Sequence, residues 1–189
     1  MLTECPLASY AAQHWVDHAK FENVSSEIQG VMECLFDSDK PHFAAWIWLY
    51  NIDRESSGSS ACPEPPEAVP LYYAALCDFR HIADRLIDAH PESVEAQGGF
   101  HITPLHAAVA KGHLNTTLLL LEHGADVGFH GRRRQTPLHV SSRRGDVDIA
   151  RSLIERGADP NAKMYSDETP LYTASKYGML EIARVLLDL

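Results

Sequence analysis

Thr103–His113 reads TPLHAAVAKGH. The fold turns on whether its two histidines, His106 and His113, are reactive groups or parts of a scaffold. Taken once, two imidazoles among small apolar residues suit a metal ion, a general base or plain packing equally well. Recurrence decides between them. TPLHVSSRRGD begins at Thr136 and TPLYTASKYGM at Thr169, each 33 residues after the last, and VPLYYAALCDF begins at Val69, 34 residues before Thr103. Four copies at one period are not four active sites. Tyr72 and Tyr172 stand in the outer copies where His106 and His139 stand in the inner ones. A packing position tolerates that exchange, whereas a metal ligand or catalytic base does not.

Each copy has the chemistry of a helix pair. Proline after Thr103 suits the first turn of a helix, where its missing N–H has no intrahelical partner, and the threonine hydroxyl is free to cap. Ala107 and Ala108 are small helix formers that let neighbouring helices approach closely, and Gly112 ends the helix in left-handed geometry. LNTTLLLLEHGAD supplies a second helix, with Leu114, Leu118 and Leu121 at helical spacing and Gly124 closing it. One such pair cannot bury its own apolar face, so each copy requires neighbours.

A period of 33 with a TPLH opening, an alanine-rich segment, a glycine, a leucine-rich segment and then HGAD or RGAD resembles the ankyrin repeat over residues 67–189. The resemblance implies an all-α solenoid of helix pairs with short projecting β-hairpins. Its four copies span about 67–99, 100–132, 133–165 and 166–189, the last incomplete. It also implies that His106 and His139 hydrogen-bond backbone and threonine hydroxyl groups of adjacent repeats. Departures from the family pattern predict local weakness. Gly98 and His101, Gly131 and Arg134, and Met164 and Asp167 occupy the hairpin places usual for Asp and Gly. Thr116 and Thr117 replace aliphatic residues. At the end of the array, Ile182, Val185, Leu186 and Leu187 are expected to form an apolar edge facing water.

Composition sets further bounds. The chain has 189 residues, 45% hydrophobic and 22% charged, the balance of a globular chain. Its start, MLTECPLASY, has neither the basic nor the apolar region of a signal peptide, and no apolar run is long enough to span a bilayer, so a cytoplasmic protein is expected. Cys5, Cys34, Cys62 and Cys77 form no CxxC pair and are read as reduced, packed thiols. Residues 1–66 carry three basic and ten acidic side chains, against thirteen and sixteen in residues 67–189. That balance argues against nucleic acid as a partner, which needs a sustained basic surface.

Residues 1–53 fall outside the repeat and predict three helices, from PLASYAAQHWVDHAKF, SSEIQGVMECLF and DSDKPHFAAWIWLYNI. They are expected to cap the first repeat. Residues 54–66 are rich in Ser and Pro and predict a linker. PLASYAAQHWVDHAKFENVS and MECLFDSDKPHFAAWIWLYNID resemble the segment preceding the ankyrin array in fungal NACHT–ankyrin receptor-like proteins. That resemblance implies a sensing or regulatory fragment whose array docks intramolecularly, for instance on Glu55 and Glu64. No GxxxxGK[ST] loop is present to carry nucleotide chemistry.

Signals of catalysis are weak. His14 and His18 lie four apart beside Asp17, yet the Glu of HExxH and a third zinc ligand are missing. No GxSxG, cysteine signature or carboxylate pair appears, so no catalytic residue, metal site, cofactor or small-molecule substrate is predicted. The stronger signal is basic: HGRRRQ and SSRRGD concentrate arginine in one repeat. By the family pattern, the hairpins and first-helix ends form a concave partner-binding face. Onto it fall Phe100, Ile102, Lys111, Arg132, Arg133, Gln135, Arg143, Arg144, Tyr165, Lys176 and Tyr177. Arginine's planar fork suits carboxylate or phosphate, which predicts a non-catalytic module for an acidic or phosphorylated protein partner and no role at a membrane.

Overall fold

The computed structural model describes residues 68–189. The three expected N-terminal helices, the linker and the His14, Asp17 and His18 cluster lie outside the described residues. Within them, eight α-helices form four pairs. They are α1 (Pro70–Leu76) with α2 (Arg80–Ala89), α3 (Pro104–Lys111) with α4 (Leu114–Glu122), α5 (Pro137–Arg144) with α6 (Val147–Glu155), and α7 (Pro170–Lys176) with α8 (Leu180–Leu187). The first helices stack on one another in chain order, and so do the second helices, giving two layers.

Local chemistry fixes the helix starts. All four first helices open on proline, and three are preceded by a threonine that caps. The Thr103 and Thr169 hydroxyls accept from the backbone N–H of His106 and Tyr172, both at 3.2 Å. α3 and α5 end on Gly112 and Gly145, with φ of 79° and 90°. A Cβ on Gly112 would also meet the Arg144 guanidinium at 2.5 Å, which would have to move aside, so it is the positive φ that makes the position costly for a side chain.

Small residues set the spacing of the stack. Ala74, Ala108, Ser141 and Ala174 occupy the same place in the four copies, and each is 0% exposed. Around them Leu71, Leu105, Leu138, Ile149, Leu153 and Ile182 join one continuous core. Each fully buried Leu or Ile contributes about 1.5–3 kcal/mol relative to an exposed one.

Three expectations change on contact with the fold. No strand forms among the described residues; the projecting hairpins are chain reversals, here called fingers, each closed at its base by a backbone bond. Leu114 and Leu118 of α4 are only half-buried, while Thr116, Thr117, Leu119, Leu120 and Leu121 are buried, because α4 is covered on both sides by α2 and α6. The apolar edge expected from Ile182, Val185, Leu186 and Leu187 is corrected too. Ile182 and Leu186 are buried, Val185 is half-buried, and the exposed residues are Leu180, Leu187 and Leu189.

The threonine substitutions in α4 have opposite outcomes. Thr116 donates its hydroxyl to Asp78 Oδ1 at 2.8 Å, tying α4 to the first repeat. The Thr117 hydroxyl, fully buried, has no hydrogen-bond partner among the described residues.

Candidate partner-binding face

Three fingers precede α3, α5 and α7. Their closing bonds run from Gly98 N to Ile102 O, Gly131 N to Gln135 O and Met164 N to Glu168 O, at 2.8, 2.9 and 3.1 Å. The buried histidines hold the last two in place. His106 Nε2 donates to Gln135 O at 3.1 Å, and His139 Nε2 donates to Glu168 O at 3.1 Å. Each of those carbonyls therefore accepts two hydrogen bonds, one from its own finger and one from the preceding repeat.

A carbonyl only accepts, so both rings carry their proton on Nε2. Their Nδ1 atoms then accept from the Thr103 and Thr136 hydroxyls, each at 2.8 Å. The threonine thus belongs to the histidine's own repeat and the carbonyl to the next one, which refines the expected pairing. At the first junction Tyr72 does the same work with reversed polarity, its hydroxyl accepting from His101 N at 3.1 Å. Burial pushes the His106 imidazole down to about 4 and lowers that of His139 as well, so both remain neutral at neutral pH.

The fingers carry backbone strain at or beside the places where the family pattern has glycine. Arg133 and Arg134 have φ of 58° and 60°, and Asp167 has 56°. A further bond, Tyr165 N to Arg133 O at 3.2 Å, joins the third finger to the second. Strained residues thus present the Arg133 side chain on a finger held at several points.

Two clefts open between neighbouring fingers. The first, about 350 Å³, is lined by Phe100, His101, His106, Arg132, Arg133, Gln135, Val140 and Arg143. The second, about 520 Å³, shares Arg133, Gln135 and Arg143 and adds Met164, Tyr165, Ser166, Glu168, Thr173, Lys176 and Tyr177. Eight of the eleven residues named from the sequence line one or both. The other three lie elsewhere. Ile102 is half-buried at the base of its finger with φ of 78°. Lys111, exposed at the end of α3, lines neither cleft, although its charge reaches His101. Arg144 is held by the Asp146 carboxylate and donates Nη1 to Ala110 O at 2.9 Å, closing the C-terminal end of α3.

Sequence reasoning missed His101, Val140, Met164, Ser166, Glu168 and Thr173. The repeat itself held the signal for most of them. Ser166 is 33 residues beyond Arg133, Glu168 is 33 beyond Gln135, and Val140 and Thr173 are one such pair. A residue that lines one cleft marks its counterpart in the next.

The face is electrostatically lopsided. Among the described residues, Lys111, Arg132, Arg133 and Arg143 meet no carboxylate at ion-pair distance. Arg132 lies 4.9 Å from the centre of the Phe100 ring, a cation–π contact that fixes its direction. His101 feels these cations: burial first, then Lys111, Arg143 and Arg132, push its imidazole down to about 4. Around the third finger and α7 positive charge is answered locally, Lys176 pairing with Glu168 at 3.0 Å and Lys163 with Asp167 at 3.5 Å. Tyr165 and Tyr177, 78% and 49% exposed, dominate that end. No cluster of three or more metal-ligating side chains occurs among the described residues, and none of their helices is long and apolar enough to cross a membrane.

The family model for ankyrin repeats in three copies matches residues 71–164 and 128–189. Among curated proteins, the chain is 31% identical over 137 residues to the azaphilone pigments biosynthesis cluster protein L of Monascus ruber, a match covering 67% of this chain and 29% of that protein. It is 34% identical over 62 residues to alpha-latrocrustotoxin-Lt1a of Latrodectus tredecimguttatus, covering 33% of this chain and 4% of the toxin. The chain therefore spans less than a third of the length of either relative. With the 33-residue period, the stacked helix pairs, the histidine-held fingers and the family match all in accord, this chain belongs to the ankyrin-repeat family, a fold of protein-interaction modules that is typically non-catalytic.

Proposed function

We propose that the chain is a non-catalytic, cytoplasmic interaction module whose concave face holds an acidic segment of a protein partner. The observation that carries this reading is the set of four cations, Lys111, Arg132, Arg133 and Arg143, that no carboxylate of the described residues answers. Leaving like charges together costs stability unless a ligand repays it. A rigid stack presents them already ordered, which reduces the entropic cost of binding. Crosslinking capture with the full chain and with a variant carrying Arg132→Glu, Arg133→Glu and Arg143→Glu tests it. Partners lost only from the variant support the reading, and identical partner sets overturn it. Arg144 is left native because it ties α5 to α3.

A second reading is intramolecular. Residues 1–66 carry ten acidic and three basic side chains, complementary to the same cations. In this reading the array docks on that segment, including Glu55 and Glu64, as a regulatory part of a NACHT-type signalling protein. An exposed ionic dock weakens as salt shortens the Debye length. Hydrogen exchange across residues 54–66 should then accelerate at high salt, and exchange indifferent to salt rejects it.

A further inference from the structure

The two clefts differ in chemistry, and they lie one repeat apart. We propose that they act together as a bipartite site for an extended peptide, the first cleft taking an Asp or Glu carboxylate and the second an aliphatic or aromatic side chain about three residues away. The proposal rests on the partner reading above and goes beyond it by fixing the order and spacing of what is recognised.

The first cleft is walled by Arg132, Arg133 and Arg143, with the Phe100 ring holding Arg132 in place. The second adds Tyr165 and Tyr177, both exposed, and the half-buried Met164 to the shared Arg133 and Arg143, and its own Lys176 is paired with Glu168. Arg133, Gln135 and Arg143 form the partition between them. Packed helices sit about 8–10 Å apart, which sets the separation of adjacent fingers. An extended chain advances about 3.3 Å per residue, so three residues cover that distance.

A carboxylate fits better than a phosphate. The helical ends that approach the clefts are the last turns of α5 and α7, which carry Arg143 and Lys176, and a helix C-terminus presents carbonyl oxygens and negative potential. That potential opposes a dianion more than a singly charged carboxylate, which guanidinium forks satisfy.

Selection of randomised peptides displayed against the full chain tests this. The expected consensus contains Asp or Glu three positions from Leu, Ile, Phe or Tyr. For a selected peptide, Arg143→Glu should weaken binding roughly ten- to a hundred-fold and reduce its salt dependence. Tyr177→Ser should weaken binding roughly ten-fold while the salt dependence persists. Both positions are exposed, and unchanged circular dichroism verifies that the variants fold. Acidic peptides with no apolar residue at that spacing, insensitive to Tyr177→Ser, overturn the bipartite site and leave the basic face standing. Peptides without acidic preference, or no enrichment at all, overturn both.

Discussion

The third and fourth repeats begin with nearly the same words, TPLH and TPLY, and end up in different physical states. His139 is 0% exposed and holds the next finger, whereas Tyr172, its counterpart 33 residues on, is 52% exposed. Arg144 and Arg156 reach back to Ala110 O and Leu121 O, at 2.9 and 2.6 Å, in the last turns of α3 and α4, the second carbonyl also accepting from Gly124 N at 3.2 Å. The corresponding positions in the fourth repeat are Tyr177 and Leu189, which carry no such donor. Within the described residues the third repeat has neighbours on both faces and the fourth on one. A repeat's stability is therefore mostly a property of its junctions, as expected of a quasi-one-dimensional stack.

The largest test of that contrast is paired truncation. Leu153 of α6 is 0% exposed and Leu186 of α8 is 8% exposed. Leu153→Ala should cost about 3 kcal/mol or more in urea unfolding, and Leu186→Ala noticeably less, because the edge of the stack relaxes around the void. Equal losses would contradict the gradient.

Acid tests the histidine-held junctions. An imidazole with an unfolded value near 6.5 and a folded value of about 4 stays neutral in the native state while the unfolded chain takes up a proton. Stability is therefore full above pH 6.5 and falls as the pH drops from 6.5 towards 4. His101 and His106 should each cost about 1.4 kcal/mol between pH 7.5 and 5.5, with a further loss from His139. Hydrogen exchange at pH 5.5 should quicken in the fingers at 131–135 and 164–168 before α1. The first finger, held by Tyr72 but carrying His101 itself, should quicken with them.

The smallest expected effect is at the rear of the third repeat. Arg156→Met removes one of the donors to Leu121 O, leaving Gly124 N, and should cost about 0.5–1.5 kcal/mol, read as a shift of the urea midpoint. The change leaves the Arg133 and Arg143 clefts intact, so peptide affinity should hold. A neutral outcome would mean that water replaces the guanidinium at that helix end.

Much of the fold was legible because its causes are local and recur. Threonine and proline start three of the four first helices and glycine ends two of them, and the exchange of His for Tyr identifies a packing position without any structure. The face was also largely legible, since Arg132, Arg133 and Arg143 stand out against an acidic chain. The fates of individual residues in one register were not. Lys111, Arg144 and Tyr177 occupy the same place in successive copies, yet one is an exposed cation, one a clamp on the preceding helix and one a cleft wall.

By itself the sequence determined the period, the helix pairs, the small-residue spine and the sign of charge on the face, because these follow from backbone preferences, side-chain volume and ionisation that hold residue by residue. The tertiary structure alone decided which arginines remain unanswered, which threonine in α4 finds a partner and which leucines of α8 are covered. Each of these depends on what a neighbouring repeat brings within hydrogen-bond or packing distance, and that distance is set by the stack, not by the chain.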